Sequence, residues 1–119
     1  MFVGSETFLL QNMQTGGAGC ISATANVNPA AIDKLYREWR NPDAAAQQDA
    51  LNAVRKATGQ YVMIPALKAV VAHYAHDPVW ATVRPPLVAL PKDQAAKVIE
   101  DLEKLDFEMP GLRKETATA

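Results

Sequence analysis

The sequence predicts an α/β protein that is mostly helical by residue count and begins with a short parallel sheet. Two short apolar segments, residues 1–4 and 19–25, have the length and composition of buried strands. A helical pattern separates them, and a strand, a crossover helix and a second strand form a unit whose strands run parallel. Most of the remaining chain repeats its apolar residues every three or four positions, which is typical of helices.

The helix between the two strands is predicted over residues 6–15, where Phe8, Leu9 and Met13 form an apolar face. Gly16 and Gly17 follow it, and glycine is common just after the last turn of a helix. The second strand then starts at Gly19 and ends before Asn26.

The clearest helix start is at Asn28 and Pro29. Asn28 can accept backbone N–H bonds as an N-cap, and Pro29 fits the first helical position, where its missing N–H is not needed. Four apolar residues then follow at the spacing of one helix face: Ile32, Leu35, Tyr36 and Trp39. This helix therefore has one apolar face and is expected to end at Asn41 and Pro42.

Three more helices are predicted, from residue 43 to about 58, from about 61 to 75, and from about 92 to 105. Pro65 lies inside the second pattern, so that helix either starts or kinks there. A proline-rich connection covers residues 76–91. The residues expected to face inward from the last helix are Ala95, Val98, Ile99, Leu102 and Leu105.

Composition excludes several classes of function. The chain has 119 residues, with 12 Lys plus Arg and 13 Asp plus Glu, so no basic field favours nucleic acid or an anionic membrane. No apolar run approaches the roughly 18 residues of a membrane span. The single cysteine, Cys20, fits a reducing compartment. We therefore expect a cytoplasmic globular protein, either one small domain or part of a larger one, without nucleic-acid or membrane partners.

Two segments carry a resemblance to a known family. The sequence GSE at residues 4–6 and the sequence GGAGCISATANV at residues 16–27 resemble strands seven and eight of the (β/α)8 barrel of the dihydrodipicolinate synthase / N-acetylneuraminate lyase family. IPALK at residues 64–68 and RPPL at residues 84–87 look like the helices that follow the barrel in that family. The resemblance covers residues 1–107.

The resemblance implies the last two βα units of the barrel (1–42) and a C-terminal helical extension (43–109). The sequence that follows is expected to form a flexible tail (110–119). It also implies a class I aldolase, which joins or cleaves pyruvate, or a related 2-oxo acid, and an aldehyde through a lysine Schiff base. The family's lysine lies on strand six and its tyrosine on strand five. Neither strand matches this sequence, so we expect no catalytic residue here, no cofactor or metal, and no activity from this chain alone.

The resemblance also assigns substrate-binding residues. Gly4 matches the strand-seven glycine that lets substrate approach the backbone, and Ile21 matches the strand-eight position whose main chain lies against pyruvate. Glu6 and Thr7 match positions that face the aldehyde portion in sugar-acid members. Ser22 and Thr24 alternate along the predicted strand and share one face, so they either line the pocket or are hydroxyls satisfied inside the protein. Many synthases have an acidic pair after the glycine, whereas this chain has Ser5 and Glu6. This departure favours a sugar acid or another aldehyde over an amino-aldehyde.

Other interpretations of these residues remain open. An acidic residue such as Glu6 is favoured in the first turn of a helix in any protein. Cys20 could act as a nucleophile, and His73 and His76 with Asp77 could bind a metal, but the sequence shows no partner histidine for the cysteine and no further ligand cluster.

A second function class is a non-catalytic interaction or self-association module. Phe2, Val3 and Ile21 would face missing strands and expose an apolar surface next to unpaired strand edges. Burial of that surface predicts a homo-oligomer.

Overall fold

The computed structural model describes residues 1–110 and residue 112. In these residues the chain is mostly helical and contains two parallel strands, as predicted. The strands are β1 (Phe2–Val3) and β2 (Gly19–Cys20), and the α-helices are α1 (Leu9–Gln14), α2 (Pro29–Glu38), α3 (Ala44–Thr58), α4 (Met63–Ala75) and α5 (Lys92–Lys104). Three short 3-10 helices span Glu6–Phe8, Ala23–Asn26 and Pro78–Ala81. The predicted tail lies, except for residues 110 and 112, outside the described residues.

The sheet pairs β1 with β2 in parallel, with Phe2 opposite Gly19 and Val3 opposite Cys20. The backbone N–H of Ala18 donates to Met1 O at 2.9 Å, and that of Ile21 donates to Val3 O at 2.9 Å. Parallel pairing therefore continues one residue beyond each end of β2, although both strands are shorter than predicted.

The second strand was predicted to reach residue 25, and this prediction is wrong. After Cys20 the chain turns into the 3-10 helix Ala23–Asn26, and Ser22 is its N-cap. The Ser22 hydroxyl accepts from Thr24 N at 3.3 Å. A serine side chain that bonds to nearby backbone competes with strand pairing, which explains the early end of β2.

Asn12 joins the end of α1 to both strands. Its Oδ1 accepts from Gly19 N at 3.0 Å, and its Nδ2 donates to Met1 O at 3.4 Å. A Cβ atom on Gly17 would lie 2.1 Å from Asn12 Nδ2, which no real side chain tolerates. Glycine at position 17 therefore permits the close approach that holds the sheet on α1.

The chain divides into two compact units, Met1–Lys56 and Ala57–Ala119. In the first unit α1 packs against α2, and the buried apolar cluster consists of Leu9, Ile32, Leu35, Ala44 and Leu51. Pro29 lies in the first turn of α2 as predicted, but Asn28 makes no side-chain cap bond. The predicted division after residue 42 depends on the family resemblance and stays a prediction.

The second unit contains α4 and α5, which pack on each other. Its buried apolar residues include Ala57, Ala66, Leu67, Val70, Val98, Ile99, Leu102 and Phe107. Pro65 is the third residue of α4, where its missing N–H has no intrahelical partner to lose, so α4 starts before it. Leu105 was predicted to face inward but is 42% exposed, because it lies just beyond the end of α5.

Within the described residues, no helix combines the length and the apolar character that a membrane span requires.

Candidate functional site

The five predicted substrate-binding residues meet at one edge of the sheet. Because β1 and β2 run parallel, their carboxyl ends lie side by side, and the loops that follow them are neighbours. Gly4, Glu6 and Thr7 follow β1, and Ile21 and Ser22 follow β2. In α/β proteins with parallel strands, functional groups collect at this edge.

Three of these residues are accessible to solvent. Gly4 is exposed, and an added Cβ there would meet no atom within 4 Å. The Ile21 side chain is 75% exposed. Thr7 is half-buried, and its hydroxyl lies 2.9 Å from the Ser5 hydroxyl. The backbone at Gly4 and Ile21 therefore forms the open part of this edge.

Glu6 and Ser22 are buried and contact each other. Glu6 has no exposed surface, and Ser22 is 8% exposed. The Ser22 hydroxyl donates to Glu6 Oε2, and Arg55 Nη1 of α3 donates to the same oxygen at 3.0 Å. The other carboxylate oxygen, Oε1, has no hydrogen-bond partner among the described residues. A buried carboxylate needs such partners, because desolvation strongly disfavours an isolated charge.

Arg55 was missed by the sequence analysis. Besides Glu6, its Nη1 lies 3.4 Å from Ser22 Oγ and 3.3 Å from Thr24 Oγ1, so one guanidinium contacts the loops after both strands. Gln48 of the same helix donates to Glu6 O at 2.9 Å and accepts from Leu10 N at 3.0 Å.

A sequence signal for these helix residues does exist. Gln48, Asn52 and Arg55 are spaced by four and three positions and therefore share one face of α3. Gln48 is 8% exposed, so this polar face lies against the protein rather than in solvent. A polar row at a buried position predicts polar partners, although it does not say which ones.

Cys20 lies next to the carboxylate and is poorly suited to act as a nucleophile. Burial raises the pKa of the Cys20 thiol, and the negative charge of Glu6 raises it further. A reactive cysteine needs the opposite environment, in which nearby positive charge stabilises the thiolate. The structure therefore favours a packing role for Cys20.

His73 and Asp77 make other contacts, and His76 is the left-handed C-cap of α4. His73 packs edge-on against Tyr74, with ring centroids 5.1 Å apart, and the Asp77 carboxylate accepts from Val79 N at 3.1 Å as an N-cap. Among residues 1–110 and 112, no three His, Cys, Asp or Glu side chains are grouped as metal ligands would be.

None of the lysines in the described residues belongs to the segments that directly follow β1 and β2. Six of them belong to helices: Lys34 to α2, Lys56 to α3, Lys68 to α4, and Lys92, Lys97 and Lys104 to α5. Lys114 is outside the described residues. Within the described chain the segments that follow β1 and β2 therefore contain backbone, hydroxyl and carboxylate groups and no lysine.

Comparison with proteins of known sequence identifies the family. The profile of the dihydrodipicolinate synthetase family matches residues 1–105. An uncharacterized DapA-like lyase of Halobacterium salinarum is 31% identical over 105 residues, covering 86% of this chain and 34% of that protein. A 4-hydroxy-tetrahydrodipicolinate synthase of Gluconacetobacter diazotrophicus is 39% identical over 57 residues, covering 45% of this chain and 19% of that protein. The chain thus spans about a third or less of these curated relatives.

Solved structures share the fold. A Sulfolobus 2-keto-3-deoxygluconate aldolase in complex with D-KDPG superposes with a TM-score of 0.79 and 17% identity, over 89% of this chain and 37% of that one. YagE of Escherichia coli K12, solved in complex with pyruvate, superposes with a TM-score of 0.76 and 25% identity, over 88% of this chain and 36% of that one. These neighbours are TIM-barrel proteins. Because the family profile matches residues 1–105 of the 119, this chain is a member of the dihydrodipicolinate synthetase family.

Proposed function

We propose that residues 1–119 form the C-terminal part of an aldolase or lyase that joins or cleaves pyruvate and an aldehyde. In this proposal β1 and β2 are the last two strands of a (β/α)8 barrel, and the later helices form an extension. The coverage of the solved relatives, 36–37% of their length, fits a piece of that size. A complete barrel needs about 250 residues, so 119 residues supply only part of one.

The observation that carries the proposal is the meeting of the loops after β1 and β2 around one buried carboxylate. Glu6, Ser22 and Arg55 hold these loops together at the edge where barrel enzymes place their chemistry. The open backbone at Gly4 and Ile21 then forms the wall against which pyruvate binds. The reactive lysine belongs to a strand outside residues 1–119, so these residues alone are inactive.

Glu6, Thr7 and Ser22 face the aldehyde in this proposal. The Glu6 charge is balanced by Arg55 at 3.0 Å, so no unpaired negative charge is left to attract an ammonium group. Glu6 Oε1 lacks a partner among the described residues but is buried, so in this proposal a substrate hydroxyl reaches it only after the loops that follow β1 and β2 move. An aldehyde that carries neutral hydroxyl groups therefore fits better than an amino-aldehyde, and a sugar acid is the corresponding product.

The proposal is tested on the protein expressed from its natural reading frame, with any residues that precede Met1. We expect condensation of pyruvate with D-glyceraldehyde, and we expect Glu6→Gln to lower kcat/KM for the aldehyde by about tenfold or more, because a charged hydrogen-bond acceptor is lost. Asp33→Asn, at an exposed carboxylate of α2, is the control. An unchanged kcat/KM for the aldehyde in Glu6→Gln would show that Glu6 does not contribute to aldehyde binding.

A self-association module is the second candidate, and it rests on exposed apolar side chains beside the sheet. Phe2 is 59% exposed and Ile21 is 75% exposed, at the two-stranded sheet. Isolated sheets of this size are unstable unless their edges are covered. A second copy of the chain would cover them, so light scattering of the 119-residue chain should show a dimer or larger species. A monomer at all concentrations would exclude this candidate.

A further inference from the structure

Gln48 of α3 ties that helix to one of the two loops at the carboxyl edge of the sheet. The first loop, residues 4–8, follows β1, and the second loop, residues 21–27, follows β2. Gln48 Nε2 donates to Glu6 O at 2.9 Å, and Gln48 Oε1 accepts from Leu10 N at 3.0 Å. The second bond satisfies one of the first N–H groups of α1, whose own N-cap residue makes no side-chain bond. Among the hydrogen bonds of Gln48 in the described part of the chain, none reaches the second loop.

Arg55, two turns further along α3, contacts both loops. Its Nη1 donates to Glu6 Oε2 of the first loop at 3.0 Å. The same nitrogen lies 3.4 Å from Ser22 Oγ and 3.3 Å from Thr24 Oγ1 of the second loop. The Ser22 hydroxyl also donates to Glu6 Oε2. These four side chains, which we call the Glu6 cluster, therefore join the first loop to the second.

The Glu6 cluster is buried, but its hydrogen bonds are incomplete. Glu6 and Thr24 have no exposed surface, and Glu6 Oε1 has no partner among the described residues. This oxygen loses its hydration without gaining a hydrogen bond, so movement of the loops into water relieves part of the cost of closing them. The charge of Arg55 acts in the opposite direction, because a buried carboxylate without a counter-charge is far more costly. The closed arrangement therefore depends on α3.

We propose that α3 is a latch that makes the two loops open and close as one unit, with Arg55 as the residue that couples them. The inference does not rest on the proposed function, since it needs no substrate at the Glu6 cluster. Segments of a folded protein open locally with free energies of their own, and residues joined by one buried network open together. Gly4 and Ile21 belong to the two loops, so their exposed backbone at the sheet edge moves together when the latch opens.

Amide hydrogen exchange, followed by mass spectrometry, measures the opening of each loop separately. In the first loop Phe8 N donates to Ser5 O at 3.2 Å, and in the second loop Val27 N donates to Thr24 O at 3.0 Å. Each bond connects residues of the same loop, so its amide exchanges when that loop opens. The protein is expressed from its natural reading frame, and no substrate is added.

Four forms are compared: the natural protein, Gln48→Met, Arg55→Met and the variant with both changes. Gln48→Met is the decisive variant, because it removes hydrogen bonds to the first loop and none to the second. Gln47→Met is the matched control. Gln47 is the neighbouring glutamine of α3, and its side-chain amide donates to Glu38 and Asp43 instead of the loops.

We expect Gln48→Met to raise exchange about fivefold in the first loop, the factor for the loss of about one hydrogen bond, and by a similar factor in the second loop. Arg55→Met should raise exchange in both loops. When Gln48→Met is added to Arg55→Met, exchange should rise further in the first loop only, because the coupling is already lost. Gln47→Met should leave both loops as they are in the natural protein.

Two results would overturn the proposal. A rise confined to the first loop in Gln48→Met would show that the loops open separately. An equal rise in α2 would show that a larger part of the chain unfolds and that no separate latch exists. If Arg55→Met gives no folded protein, the comparison of Gln48→Met with Gln47→Met decides the question alone.

Discussion

At the scale of single residues, the contacts of Asn12 with Gly17 and Gly19 hold β1 and β2 against α1. Asn12 accepts from Gly19 N and donates to Met1 O, and Gly17 lies against its side chain. From the sequence, Gly17 was interpreted only as a residue that follows the end of a helix. The structure adds a specific reason for glycine, because no side chain fits between position 17 and Asn12.

Gly17→Ala should therefore lower the free energy of unfolding by about 1–3 kcal/mol, the cost of inserting a methyl group into filled space. The measurement is urea-induced unfolding of the protein. Gly4→Ala is the control, since an added Cβ at Gly4 meets no atom within 4 Å. Equal stability of the two variants would show that Asn12 does not pack on position 17.

Cys20 provides a second test at this scale. Its pKa is raised by burial and then by the charge of Glu6, so the folded state favours the neutral thiol. Stability should therefore decrease as pH rises above the pKa of the unfolded thiol, about 8.5, because only the unfolded chain releases the proton readily.

Alkylation of Cys20 by iodoacetamide should consequently be slower in the folded protein than in urea, and Glu6→Gln should accelerate the folded reaction at pH 8. Faster alkylation of the folded chain than of the unfolded chain would contradict this account of Cys20.

The assignment of Glu6 and Ser22 to a substrate site stays a prediction, and the structure shows that these two residues contact each other. Their distant partner was not predicted. Arg55 was not found because it lies 49 positions from Glu6 in sequence, and only the packing of α3 brings it to the site. The unpartnered Oε1 could not be predicted at all, since it depends on the direction of every neighbouring hydrogen bond.

At the scale of secondary-structure elements, apolar spacing predicted the helices, and local side-chain bonding changed their ends. The regular faces of α2 and α5 gave helices close to those observed. The segment after Cys20 has the composition of a strand, yet Ser22 caps a 3-10 helix there. Such an end could not be predicted, because strand and cap compete with similar energies and tertiary contacts decide between them.

The charges on α5 predict a pH dependence. A hydrogen bond from Lys104 at 2.8 Å lowers the pKa of Glu100, and a hydrogen bond from Lys97 at 3.2 Å lowers the pKa of Asp101, with Gln60 adding to the effect. Carboxyls with a lowered pKa in the folded state stabilise it above the pKa of the unfolded chain. This stabilisation is lost as pH falls through the folded-state values, below the ordinary 4.5 and 3.8.

The double variant Glu100→Gln with Asp101→Asn should therefore lose less stability between pH 5 and pH 2 than the natural chain does. The measurement is thermal unfolding at a series of pH values. The effect should be small and should weaken in high salt, because the pairs are at the surface. Asp49→Asn, at an exposed position on α3, is the control and should keep the natural slope. An identical slope in the double variant would show that the α5 pairs do not form in solution.

At the scale of the whole molecule, the parallel order of the two strands and the helical remainder were predictable, because alternation and spacing are properties of long segments. The contribution of α3 to the candidate site was not predictable, because the family resemblance assigned that helix to an extension. The described chain matches 36–37% of the length of its solved relatives, and its sheet has two strands. The account therefore depends on whether the edge that carries Gly4 and Ile21 adjoins a reactive lysine.

The most direct measurement is borohydride trapping with pyruvate on the protein expressed from its natural reading frame, followed by peptide mapping of the modified lysine. We predict one pyruvyl-modified lysine that lies outside residues 1–119, and no modification when residues 1–119 are treated alone. A trapped adduct on a lysine within residues 1–119, or no adduct on any lysine of the natural protein, would contradict the account.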